Sequence, residues 1–136
     1  MPRPGHVHAD ASKLEIPDDE ELYRLIHPIN YSLDKNNVRR VRSGAFKTEK
    51  LSCLRLRLFS IQEALQANPK HGAGVFTAGF VRSTLKCIIC VEDEDEFPAG
   101  GHVVIFQDVT GKPLSNWQCK RLAAEADSNL RAIPVT

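Results

Sequence analysis

Two apolar segments late in the chain place the strongest restriction on its fold. They read LKCIICVE at 85–92 and HVVIFQDV at 102–109, with apolar residues at successive positions rather than at alternate ones. Such runs are typical of strands that are buried on both faces in the middle of a sheet. A sheet of this kind needs other elements over both faces, so we expect the chain to fold in layers.

Two further strands are predicted upstream, at 38–46 and 51–59, separated by the polar turn KTEK. In the second of these, leucines at 54, 56 and 58 alternate with Cys53, Arg55 and Arg57, which is the two-residue period of a half-buried strand. The segment VFTAGFVRSTL at 75–85 begins as a strand and is expected to turn helical near Thr77. The sheet is therefore predicted to contain four or five strands.

Three helices are predicted from local signals. Acidic residues after Pro17 and an apolar stripe of Leu22, Leu25 and Ile26 favour a helix over 18–27. Two more helices are predicted from capping boxes. In a capping box, a Ser and a Glu or Gln three residues later bind each other's backbone N–H groups at the start of a helix. These capping boxes are Ser60 with Glu63, and Ser115 with Gln118.

These elements define a small α+β domain with a mainly antiparallel or mixed sheet, flanked by two or three helices and extending over residues 17–131. The chain of 136 residues is long enough for one core, and its 42% hydrophobic and 26% charged residues are ordinary for a globular domain. Residues 1–16 are rich in Pro, Gly and His and are expected to form an extended or mobile arm, and residues 132–136 a short tail. No apolar run suits a membrane span or a secretory signal, so a cytoplasmic location with free thiols is expected.

Charge is segregated along the chain although the formal net charge is only +1. The segment 38–58 carries seven basic residues and one acidic residue, whereas 92–96 carries a charge of −5. We predict that a pair of basic strands and an acidic loop form the binding surfaces of this protein. The residues concerned are Arg40, Arg42, Arg55, Arg57, Glu92, Asp93, Glu94, Asp95 and Glu96.

The CxxC formed by Cys87 and Cys90 could be half of a zinc site, a redox pair, or two cysteines of a buried strand. The two isoleucines between them favour a strand, in which residues three apart point to opposite faces. His6, His8 and Asp10 alternate and could ligate a metal, but ordering a mobile arm would cost backbone entropy. We therefore predict buried structural cysteines, no metal site and no cofactor.

The sequence lacks the phosphate-binding loops GxxxxGK[ST] and GxGxxG in their usual context, and it lacks a GxSxG nucleophile elbow. If the chain is an enzyme, the candidate catalytic residues are Arg40, Ser43, Ser52 and His102. A cleft around Arg40, Ser43 and His102 would be required, since these groups could bind or activate a substrate only if they converge.

Five short segments occur in a recognisable order: IHP at 26–28, RVRSGAF at 40–46, LSC at 51–53, TAG at 77–79 followed by Arg82, and HVV at 102–104. In this order they resemble a family of small bacterial proteins whose activity is uncharacterised. Arg42 and Gly44 stand where that family's pattern has Ser and Ala. The resemblance implies no particular activity.

The segments LYR at 22–24 and SGAF at 43–46 also resemble strands of ADP-ribosyltransferase-like domains. This second resemblance implies chemistry directed at NAD or another nucleotide. In those domains the LYR segment is a strand, whereas a helix is predicted here.

The absence of catalytic motifs and the segregation of charge together favour a non-enzymatic protein-interaction module. Its expected partner is another protein or a second copy of the chain. Nucleic acid is a less favoured partner, because Phe46 and Phe59 lie only at strand ends and offer no stacking platform, and no membrane contact is predicted. The alternative function is the small NAD- or nucleotide-directed enzyme.

Overall fold

Sheet pairing organises the chain, whose computed structural model describes residues 7–94 and 97–132. Within these residues a six-stranded antiparallel sheet has the strand order β6-β7-β4-β1-β5-β8, and a separate hairpin pairs β2 with β3. The strands are β1 (Glu21–Ile26), β2 (Tyr31–Leu33), β3 (Arg39–Val41), β4 (Leu51–Arg55), β5 (Gly72–Thr77), β6 (Ile88–Glu94), β7 (Phe97–Phe106) and β8 (Leu130–Ala132). The helices are α1 (Ile61–Ala67) and α2 (Asn116–Ser128), with short helical turns at Pro28–Asn30, Ser43–Phe46 and Phe80–Thr84.

The two α-helices cover different groups of sheet residues. Leu122 and Ala126 of α2 belong to the larger core cluster, together with Leu22 and Phe76 of the sheet. The helix approaches β5 so closely that a Cβ atom on Gly74 would lie 2.6 Å from the Cβ atom of Ala126, and only glycine fits there. Helix α1 packs through Ala64 on a second cluster, which contains Tyr23, Leu54 and Val75.

The fold class predicted from the sequence is confirmed: this is a small, single-domain α+β fold with an antiparallel sheet. Both capping boxes open helices as predicted. The Glu63 N–H donates to Ser60 Oγ (3.1 Å) ahead of α1, and the Ser115 N–H donates to Gln118 Oε1 (2.8 Å) ahead of α2. The two apolar runs form β6 and β7, which are neighbours in the sheet.

The helix predicted over 18–27 is wrong, because this segment contains β1, which lies between β4 and β5. Leu22 and Ile26 fit a helical stripe, but Tyr23 is also fully buried and lies in the other core cluster. Burial of adjacent residues in different clusters suits a central strand and not an amphipathic helix. Pairing with two neighbouring strands outweighs the local helical pattern.

The two basic strands are shorter than predicted, and only one of them belongs to the main sheet. After β3, residues Ser43–Phe46 form a helical turn, and after β4 the N–H groups of Leu58 and Phe59 donate to the carbonyl of Arg55. The predicted strand pair 38–46 and 51–59 therefore does not exist as a pair: β3 joins β2, and β4 joins β1 and β7.

Residues 8–16, assigned from the sequence to an arm, contact the domain. The Ala11 N–H donates to the Ile89 carbonyl (2.7 Å), and the side chain of Ile16 is fully buried. The guanidinium of Arg82 donates to the carbonyls of Ile16 (2.6 Å) and Ala11 (2.9 Å). This segment covers the edge of β6, and the mobility of residues 1–16 stays a prediction.

A buried ion pair joins two neighbouring strands in the middle of the sheet, β1 and β4. Arg55 of β4 is 4% exposed and makes two hydrogen bonds to Glu20, from Nε (2.6 Å) and from NH2 (2.8 Å). Arg57 donates a third hydrogen bond to the same carboxylate (2.9 Å), and Arg55 also donates to the carbonyl of Glu15 (3.1 Å). The charged groups are thus satisfied where water is excluded.

No helix among the described residues is long and apolar enough to cross a bilayer.

We predict that Glu20→Gln lowers the free energy of unfolding by roughly 3–5 kcal/mol, because the substitution leaves the buried Arg55 guanidinium without its counter-charge. The matched control is Glu21→Gln, which removes the exposed ion pair to Arg131 (2.6 Å) and should cost about 0–1 kcal/mol. Urea denaturation of both variants measures the difference. Equal losses in the two variants would contradict a special role for the buried pair.

The same pair makes stability dependent on pH. Burial raises the pKa of Glu20, but the hydrogen bonds from Arg55 and Arg57 outweigh burial and hold that pKa below its ordinary value of 4.5. The folded state therefore binds the proton less readily, so this stabilisation is complete above the unfolded-state pKa and is lost as pH falls through the folded-state pKa. The stability gap between wild type and Glu20→Gln should narrow between about pH 5 and about pH 3, and a constant gap would argue against the assignment.

Candidate functional site

The four candidate catalytic residues lie in two different clefts. Arg40 and Ser43 line a cleft of about 440 Å³ between β3 and α2, with Lys120 and Asp127. Ser52 and His102 line a cleft of about 160 Å³ beside Tyr23 and Leu54, residues of the cluster that α1 covers. The convergence of Arg40, Ser43 and His102 that the enzyme hypothesis requires is therefore not found.

Ser52 and His102 share a cleft, and Glu92 lies near the imidazole of His102. Nδ1 of the buried His102 is 3.9 Å from Oε2 of Glu92, a separation too long for a hydrogen bond. The same Glu92 oxygen lies 2.7 Å from Nζ of Lys50. Glu92 therefore forms an ion pair with Lys50 and makes no hydrogen bond to Nδ1 of His102.

The two cysteines of the CxxC are both buried and lie in different core clusters. Cys87 lies in the larger cluster, where the side chain of Gln118 contacts its sulfur (3.2 Å), whereas Cys90 lies in a separate cluster with Val104 and Phe106. Burial raises the pKa of Cys87 to about 12 and that of Cys90 to about 11. Both thiols are thus buried and protonated, the opposite of a reactive cysteine.

Of the candidate metal ligands near the N-terminus, His8 and Asp10 contact other residues of the domain. The His8 ring lies 4.5 Å from the ring of Phe106, and Asp10 Oδ1 accepts a hydrogen bond from the Ile89 N–H (3.1 Å). His6 lies outside the described residues. Within the described part of the chain no three His, Cys, Asp or Glu side chains are grouped as metal ligands.

The four arginines predicted to bind a partner do not share one face. Arg55 is buried against Glu20, and Arg57 shares that carboxylate. Arg40 is exposed but is held by two carboxylates, Asp34 (3.1 Å) and Asp127 (3.0 Å). Arg42 is exposed beside β3. The four guanidinium groups are therefore not gathered on one surface, because Arg55 is buried with Glu20 whereas Arg40 lies with Asp34 and Asp127.

The acidic segment 92–96 is not a loop throughout. Glu92, Asp93 and Glu94 belong to β6, where Glu92 is the cross-strand neighbour of His102. Asp95 and Glu96 lie outside the described residues. Because Glu92 binds Lys50, part of the acidic segment is neutralised by the basic segment of the same chain.

The β2–β3 hairpin, residues 28–42, carries three exposed large apolar side chains together with several basic ones. Ile29, Leu33 and Val38 are 70%, 63% and 45% exposed. Basic residues lie among them at Lys35, Arg39, Arg40 and Arg42, opposed by Asp34, so that the segment has a net charge of +3. We call Ile29, Leu33, Lys35, Val38, Arg39 and Arg42 the hairpin surface.

The turn of this hairpin is held rigidly by one side chain. Asp34 Oδ1 accepts hydrogen bonds from the N–H groups of Asn36 (2.8 Å) and Val38 (2.9 Å), and these bonds lower the pKa of the Asp34 carboxyl. Asn37 has φ of 59°, a left-handed conformation that asparagine tolerates. The strand predicted over 38–46 contains β3, but the strand β2 on the other side of the turn was missed.

The base of the hairpin is attached to the core. Val41 of β3 is buried, and its N–H donates to Asp127 Oδ1 of α2 (2.9 Å). Tyr31 of β2 packs on the larger cluster, and burial raises the pKa of its hydroxyl to about 12. The hairpin is thus fixed at its base and exposed at its turn.

Comparisons with protein-family models, with characterised proteins and with solved structures find no match to this chain. Both resemblances drawn from the sequence therefore stay predictions, and function must be argued from the site alone.

We predict that the four cysteines react slowly with a thiol reagent such as DTNB in the folded protein at about pH 8. All four are buried, and burial also raises the pKa of Cys53 to about 12, so thiolate is scarce. In urea the same sample should release four equivalents at once. Rapid reaction of any thiol before unfolding would show that the described packing does not protect it.

Proposed function

We propose that this chain is a protein-interaction module that binds its partner through the hairpin surface. The observation that carries the proposal is the exposure of Ile29, Leu33 and Val38 on one rigid hairpin. Isolated apolar residues on a surface are common, but a local group next to basic residues is typical of a binding site. Among the described residues, the other exposed large apolar side chains stand on separate segments: Val7, Leu14, Leu58, Val109 and Trp117.

The electrostatics of the chain support a partner with acidic groups. Of the basic residues predicted to bind, Arg55 and Arg57 pair with Glu20, and Arg40 pairs with Asp34 and Asp127. Arg42 keeps its predicted role, and Lys35 and Arg39 join it on the hairpin surface. Asp127 of α2 offsets part of the +3 charge of residues 28–42, and the positive charge that remains would steer an acidic partner toward the hairpin.

The enzyme hypothesis has less support. It needs Arg40, Ser43 and His102 in one cleft, and these residues line separate clefts. The Arg40 guanidinium is also bound by two carboxylates, so a phosphate would have to displace them. The interaction module needs no such rearrangement.

The double variant Leu33→Ser/Val38→Ser tests the proposal. It should abolish capture of the native partner from a lysate of the source cells, because it removes the apolar part of the hairpin surface. It should leave the free energy of unfolding within about 0.5 kcal/mol, because both side chains are exposed. Quantitative mass spectrometry of the captured proteins, beside urea denaturation of each variant, provides both measurements.

The matched control is Leu14→Ser/Val109→Ser, which removes two exposed apolar side chains elsewhere. It should capture the partner as well as the wild type does. Raising salt from about 50 mM to about 500 mM should weaken capture by the wild type, since exposed charges are screened. Equal capture by wild type and by the hairpin variant would refute the proposed function.

A further inference from the structure

The outer edge of β2 carries backbone groups that point away from its paired strand β3. The Asp34 N–H donates to the Val38 carbonyl (2.9 Å), and the Arg42 N–H donates to the Asn30 carbonyl (2.8 Å). Hydrogen-bonded pairs alternate with non-hydrogen-bonded pairs in an antiparallel ladder. The pair of Leu33 with Arg39 and the pair of Tyr31 with Val41 are therefore of the non-hydrogen-bonded kind, with their backbone groups directed outward.

The two outer edges of the hairpin differ in their surroundings. On the β3 side, the outward Val41 N–H donates to Asp127 of α2, which confirms the direction of these groups. On the β2 side, the outward groups include the N–H and carbonyl of Leu33 and the carbonyl of Tyr31. Across residues 7–94 and 97–132, the structure gives these three groups no hydrogen-bond partner.

Open strand edges are normally covered or blunted, and this protein covers the edge of β6. There the Ala11 N–H bonds to the Ile89 carbonyl, and the Ile89 N–H bonds to Asp10 Oδ1. By contrast, β2 contains neither proline nor a charged residue, and Leu33 stands exposed on it. Although β2 has only three residues, its edge carries no charge and leaves Leu33 exposed, so it can serve as a template for another strand.

We propose that the partner supplies an extended acidic segment that adds to the edge of β2 as a further antiparallel strand. This inference rests on the proposed function and names the form in which the partner binds. The Leu33 N–H and carbonyl and the Tyr31 carbonyl bind the backbone of that segment, while an apolar side chain of the segment contacts Leu33. Acidic residues at its two ends face Lys35 at the turn and Arg42 at the base.

Charge complementarity selects this occupant among the candidates for the edge. A second copy would bring an identical hairpin with the same charge of +3, so pairing two β2 strands would place like charges together. A nucleic acid would match the charge, but it has no peptide backbone to pair with Leu33. An acidic peptide segment satisfies both the charge and the open backbone groups.

The first step of the test is to pan a phage library of random heptapeptides against the full-length wild-type protein. Recovered peptides should be acidic and should contain alternating apolar residues. Each is then synthesised in two forms, with N-methyl groups on the alternate amides that would face β2 or on those that would face away. Because an N-methyl group removes a donor and blocks close approach, the first form should bind roughly tenfold or more weakly, and the second should match the parent peptide.

Hydrogen exchange of the complex measured by NMR provides the second readout. The Leu33 amide should become protected when the unmethylated peptide binds, whereas the Lys86 amide, which is remote from the hairpin in sequence, should not change. If both methylated forms bind equally, or if the Leu33 amide stays unprotected, strand addition is refuted. Recovery of no peptide would also refute strand addition. So would a dimer of the protein, seen by sedimentation, that dissociates when the peptide binds. Displacement of the peptide by single-stranded DNA would refute it as well.

The proposed function is tested separately, by measuring peptide binding to the variant Arg39→Glu/Arg42→Glu and to the control variant Lys86→Glu/Lys112→Glu. Both variants change the net charge by the same amount, and the control positions are exposed outside the hairpin. Peptides whose binding is lost only in the hairpin variant support the hairpin surface, even when N-methylation has no effect. Peptides that bind the wild type and both variants equally refute the hairpin surface together with strand addition.

Discussion

The buried ion pair between Glu20 and Arg55 is the interaction on which the arrangement of this protein depends. It joins the residue before β1 to the end of β4, and the same guanidinium donates to the carbonyl of Glu15. A charge at this depth is tolerated only with a partner and with its remaining hydrogen bonds satisfied. Arg55 and Arg57, which alternate with leucines, both pair with Glu20 and so stabilise the fold. Fewer arginines are therefore available for binding a partner than the sequence suggests.

Local signals predicted the elements whose partners lie nearby in sequence. The capping boxes at Ser60 and Ser115 are set by residues three positions apart, and the apolar runs of β6 and β7 admit few alternatives to buried strands. The segment 18–27 was assigned wrongly because its apolar spacing fits a helix as well as a strand. Only its pairing with β4 and β5, which lie about 30 and 50 residues further along the chain, decides between them.

The candidate site was predicted less well than the fold, because charge segregated along a sequence need not be segregated in space. Lys50 binds Glu92 across the sheet, and Arg40 binds Asp127 of α2, so both charged segments are partly neutralised within the chain. No pattern in 51–59 could show that Arg55 meets Glu20, which is 35 residues away. Strand β3 lies within the strand predicted over 38–46, but β2 has only three residues and was not predicted.

The rigidity of the hairpin makes the edge of β2 suitable for binding an extended segment. Binding an extended segment costs conformational entropy, and the cost is smaller when one partner is already in its bound conformation. Asp34 fixes the turn, while Val41 and Tyr31 fix the base, so the Leu33 backbone is held in an extended conformation before any partner arrives. A loose loop with the same residues would offer the same charge and apolar area without a backbone template. The attachment of the hairpin to α2 through Asp127 therefore connects the packing of the core to the binding surface.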